Sequence, residues 1–206
     1  MASCCRFTIL VGLVAVGTAA SASAVTVSPV TYTTKVFMPG MQVTVPDAGW
    51  RIHQDHKGQF TVGPSNGPTI HFWLDPIAST PKTDTPVAGV GRTAAALIAW
   101  LRHNPNFVVS SPVTRTIGAG LKMTSVDLDV SPNAPQVDPS CPGPCLDYFI
   151  FKGEDPFGTG RGEPVRLYVA PLGGHTLLIA IDVPSKGALK SAIQSSTHVL
   201  GSVRLS

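Results

Sequence analysis

Between Thr69 and Asp75 the apolar residues Ile70, Phe72 and Leu74 alternate with His71, Trp73 and Asp75. Successive side chains point to opposite faces of a strand, so this pattern fits a half-buried strand and not a helix. The pattern recurs. Trp50 and Ile52 alternate with Arg51 and His53, Phe60 and Val62 share one parity, and Val126, Leu128 and Val130 alternate with Asp127 and Asp129. Turn chemistry separates the runs at Pro46-Asp47, at 55–58, at 64–68 and at Gly118-Ala119-Gly120. Short strands joined by such turns read as an antiparallel meander. The run from Leu177 to Ile181 contains no polar residue. It predicts a strand at the sheet centre, covered on both faces.

The period changes twice. Ala94, Leu97, Ile98 and Leu101 recur at helical spacing, predicting an amphipathic helix over 91–103 that ends at Asn104-Pro105. Leu189, Ala192, Ile193, Val199 and Leu200 predict a second helix over 186–200. Ser185 is its expected N-cap and Gly201 its stop. Residues 76–86 read as a Pro/Thr-rich connection, and residues 153–164 as a Gly-rich polar loop and the most mobile segment. The fold class is therefore α+β: an antiparallel sheet packed by two helices, in one domain over 41–206 behind an extended lead-in at 25–40. Gly 20 and Pro 19 with only 13% charged residues suit such a turn-rich domain.

The N-terminus reads as a secretory signal peptide over 1–24. Arg6 is followed by an uncharged apolar run over 7–20 and by the small-x-small pattern Ala22-Ser23-Ala24. That run is shorter than the ~20 residues a spanning helix needs. Export places the remaining chain in an oxidising compartment, secreted or at the cell envelope. Cys141 and Cys145, in Cys-Pro-Gly-Pro-Cys, are then expected to form a disulfide. So small a loop yields about 2 kcal/mol at most. A redox pair favours Cys-x-x-Cys, and zinc wants further ligands that no other cysteine of the exported chain supplies. The formal charge is only +3 and shows no basic stripe, which argues against nucleic acid as a partner.

The segments VPDAGWRIHQDHKGQFTV, IHFWLDP, ALIAWLRHNPNFVVSSPVTRTIGAGLKMTSVDLDV, CLDYFIFKG and RLYVAPLGGHTLLIAIDVP, with the closing helix, resemble a group of exported actinobacterial proteins. The order of elements is similar to the PsbP-like α/β/α sandwich shared by LpqN-type lipoproteins. The chain departs from those lipoproteins in having no cysteine just after the apolar run. The resemblance implies an exported binding or accessory domain and carries over no catalytic residues or cofactor.

Three constellations invite chemistry. Gly63-Pro64-Ser65-Asn66-Gly67 has the Gly-x-Ser-x-Gly spacing of a nucleophile elbow, but that device needs a strand, a sharp turn and a helix. Here a strand is expected on both sides, so a plain hairpin loop is the better reading. His53, His56 and His71 are weak candidates for a metal site; His53 and His71 fall on the polar parity of their strands and are expected to face solvent. Asp127 and Asp129 project from one face and are expected to stay solvated, where a glycosidase needs two carboxylates flanking a sugar cleft. Trp73 shares a face with His71, and an α/β/α sandwich would cover it with a helix. No assembled catalytic set is legible. The chain is read as a non-enzymatic exported domain binding a protein or a small apolar ligand. The alternatives are a hydrolase using Ser65 or the His53, His56, His71 group, and a metal-binding protein.

Overall fold

The computed structural model describes residues 28–46, 49–81, 83–137, 143–183 and 185–205. The expected signal peptide over 1–24 and Cys141 lie outside them. In chain order the strands are β1 (Val30–Thr33), β2 (Gln42–Val45), β3 (Trp50–Asp55), β4 (Gln59–Pro64), β5 (Thr69–Leu74), β6 (Ile77–Thr80) and β7 (Thr85–Pro86). Helix α1 (Ala94–His103) follows, then β8 (Phe107–Val109), β9 (Val113–Ile117), β10 (Leu121–Val130), β11 (Cys145–Phe151), β12 (Glu154–Gly160), β13 (Val165–Leu172) and β14 (His175–Asp182). A single 3-10 turn leads into α2 (Leu189–Ser202).

One antiparallel sheet organises everything else, in the order β3-β4-β5-β14-β13-β10-β8, with β9 beside β8 along β10. The residues from Leu177 to Ile181 are fully buried in its central strand, as their unbroken apolar run requires. Alternation sends β14 side chains to two separate cores. Leu177, Ile179 and Ile181 join Phe60, Ile70, Phe72 and α2 on one side, where β1 and β2 also pack. Leu178 and Ala180 join Trp73, Leu167 and α1 on the other.

The stretch ahead of β2 is tied into the first core. β1 pairs with β2 over four residues, and Phe37 is fully buried. Asp55 fastens it. Its carboxylate accepts from the Lys35 N–H at 2.7 Å, the Phe37 N–H at 2.8 Å and the Tyr32 hydroxyl at 2.8 Å. Burial alone would push Asp55 up; these donors outweigh it and hold the carboxyl below its ordinary value.

Two stretches depart from the sequence reading. Residues 153–164 are not a loop: Glu154–Gly160 forms β12, paired along β11. Residues 76–86 are not a bare connection, because β6 and β7 extend the same small sheet in the order β12-β11-β6-β7. That second sheet shares one sheet face with α1, so the fold is dominated by sheet where a helix layer was expected. The helix ends also differ in detail. Thr93 caps α1 by accepting from the Ala96 N–H at 3.2 Å, so the helix starts at Ala94. Ser185 offers no side-chain cap, and α2 runs past Gly201 to Ser202.

Candidate functional site

Strand β10 builds one wall of a cleft. Val126, Leu128 and Val130 fill the core shared with α1, which turns Asp127 and Asp129 toward the face that α2 covers. In the register of β10 and β13, Asp127 lies directly opposite Arg166. The pair is bidentate: Nε donates to Oδ1 at 2.5 Å and a terminal nitrogen donates to Oδ2 at 2.7 Å. Asp127 thereby raises the Arg166 guanidinium above its already high value. Asp129 accepts from the Gly162 N–H at 3.1 Å. Both carboxylates keep part of their solvent exposure, as expected, but each is also engaged by a partner. Cross-strand register and the turn after β12 bring donors to them that β10 alone does not reveal.

Above this polar floor the surfaces are apolar. Val108 and Val109 line the cleft from edge strand β8, while Leu189 and Ile193 line it from α2. Pro132 and Pro164 form part of the wall, and Arg161 and Lys190 stand among the lining residues. The cavity is open to solvent and encloses about 940 Å³. That size is typical of pockets for drug-sized molecules. Val108 is 57% exposed, a large apolar side chain left facing water.

The histidines are dispersed. His53 is exposed on β3, with Nε2 3.0 Å from the Gly63 carbonyl. His56, in the following turn, lies 3.2 Å from Glu154 on β12. His71 does not face solvent as expected. Its Nδ1 is 3.0 Å from the Gln59 amide nitrogen, and its ring lies nearly parallel to Trp73 at 4.9 Å. Burial first, and then the charge of His53, lower its pKa to about 4. Trp73 is buried too, but the cover is not a helix: Phe151 stacks on it at 4.9 Å and Phe157 meets it at 4.6 Å, both from the small sheet. Each such ring pair adds roughly 0.5–1.5 kcal/mol beyond area burial. Among the described residues, no three His, Cys, Asp or Glu side chains gather as a metal group.

Ser65 is exposed in the short loop between β4 and β5, with a strand on either side and no helix after it. Its backbone supplies none of the oxyanion donors that a nucleophile elbow takes from a helix start. Cys145 opens β11, and the expected bridge to Cys141 falls partly outside the described residues.

The sequence reading placed Leu189 and Ile193 only in the apolar stripe of the second helix and assigned Arg161, Arg166 and Lys190 to no site. One signal was available. Arg166 interrupts the apolar run from Val165 to Ala170, and an arginine buried in a strand needs a carboxylate across the ladder.

No family model matches the chain, and no curated protein matches it. Among solved structures the chain is similar to the solution structure of cyanobacterial PsbP (CyanoP) from Synechocystis sp. PCC 6803. Identity is 12%, the match covers 92% of this chain and 100% of that one, and the TM-score is 0.46. Among the described residues, no helix is long and apolar enough to cross a membrane.

Proposed function

We propose that the protein is an exported, non-enzymatic binding domain that holds a small, mainly apolar ligand in the cleft between β8, β10 and α2. The observation that carries this reading is the cavity of about 940 Å³ walled by Val108, Val109, Leu189 and Ile193. The polar groups of its floor are engaged with each other or with backbone, an arrangement that shapes a site without leaving a base beside a nucleophile. Export, the Cys141–Cys145 bridge and the LpqN-type, PsbP-like affiliation belong to the same proposal and rest on the residue patterns that suggested them.

The test is saturable binding of a neutral apolar dye, N-phenyl-1-naphthylamine, followed by its fluorescence. Wild-type protein should bind it one to one. Val108→Asp alters an exposed residue, so the fold should survive, and a charge in the apolar wall should weaken binding by about tenfold or more. Absence of saturable binding, or equal binding by a folded Val108→Asp variant, overturns the proposal.

A further inference from the structure

The charges around the cleft are not evenly satisfied, and the imbalance specifies what the ligand carries. Five charged residues line it: Arg161, Arg166 and Lys190 against Asp127 and Asp129. Asp127 and Arg166 neutralise each other through their bidentate pair. Asp129 accepts from the Gly162 N–H, a contact that holds the carboxylate and leaves its charge in place. Arg161 donates through one terminal nitrogen to the Pro132 carbonyl at 2.7 Å, a contact that fixes the guanidinium without neutralising it. Neither Arg161 nor Lys190 has a carboxylate within ion-pair distance among the described residues. Among the described residues of the lining, three cations stand against two carboxylates, so the cleft carries one net positive charge beside its apolar walls.

Resting on the cleft as the binding site, we infer that its ligand is an apolar molecule bearing one carboxylate, with the tail against Val108, Val109 and Ile193 and the carboxylate at Arg161 and Lys190. The two cations suit this division of labour. A guanidinium already anchored at one edge presents its remaining N–H groups in a fixed plane, the geometry that a carboxylate accepts in pairs. Lys190, on the first turn of α2, adds a point charge on a flexible stem to the same lining. A cationic head would meet two carboxylates already engaged and two cations that repel it. A neutral head would leave the net positive charge of the partly desolvated site uncompensated.

Competition against the bound naphthylamine dye tests this. Decanoate, decanol and decyltrimethylammonium share a tail and differ in head charge. Wild-type protein should be half-displaced by decanoate at a concentration about tenfold lower than by decanol, and least well by the ammonium. In the Arg161→Gln/Lys190→Gln double variant, the ratio of decanoate to decanol should fall to about one. Raising the salt concentration should shrink the wild-type ratio, because the pairing is partly exposed. Equal displacement by all three ligands overturns the carboxylate inference while leaving the apolar cleft intact. A preference that persists in the double variant overturns the assignment to Arg161 and Lys190. If the dye itself does not bind, the cleft reading and the inference fall together.

Discussion

At the scale of single residues, the most consequential departure from pattern is His71. Alternation puts it on the polar parity of β5, yet its ring sits against Trp73 and beside Phe157. A histidine lowered to about 4 in the fold titrates near 6.5 when unfolded. Between those values the unfolded chain binds more protons, so stability falls as pH drops through the window and levels off below it. The whole effect is about 2 kcal/mol once residual solvent contact is allowed for. Urea midpoints at about pH 7 and about pH 4.5 should drop further for wild type than for His71→Phe, which keeps the stack without the titration. Equal drops in the two proteins would sink the assignment. Parity showed which face His71 occupies. It did not show what covers that face, because the cover comes from β11 and β12, some eighty residues along the chain.

At the scale of elements, strands with strong alternation were legible nearly to the residue. Strand β10 starts directly after the turn expected at Gly118-Ala119-Gly120 and carries the expected alternation to Val130, and α1 differs only where Thr93 takes the cap. Strand β12 was hidden for a physical reason. Its residues from Glu154 to Gly160 include Pro156 and two glycines, and its ladder with β11 carries two register shifts. Irregular pairing of this kind erases the period that betrays a strand. The turn between β9 and β10 was correctly marked by glycine, and the structure supplies the cause. Gly118 has φ of +51°, and a methyl group there would run into the Val203 carbonyl, to which the Ala119 N–H donates at 3.1 Å. Gly118→Ala should therefore cost about 2 kcal/mol and lower Tm by roughly 4–8 °C. Gly201→Ala on α2 meets nothing within 4 Å and should be neutral or slightly stabilising. Calorimetry of the two variants checks the contrast, and an unaffected Gly118→Ala would show that the turn has room.

At the scale of the molecule, the β3-β4-β5 meander and the central place of β14 were readable, but the long-range joins of the sheet were not. β5 pairs with β14, an alignment of residues a hundred positions apart, and no local period encodes it. The cleft was illegible for the same reason: its floor depends on the register of β10 against β13, its walls on an edge strand and a late helix. The order does predict a hierarchy of opening. Hydrogen exchange should be slowest in β13 and β14, central in the sheet and buried on both faces, and fastest in β3 and β8 at its ends. Edge strands that outlast the central hairpin would contradict the arrangement. The sheet also acts as a dividing wall between two apolar rooms. Each side chain of β14 is assigned to a room by its parity alone. Adding a single residue after Leu177 would send every later occupant of β14 through the wall, and Leu178 would have to live where Ile179 now does. Extra length is tolerable at the exposed tip around Ser65, where no such tenancy is recorded.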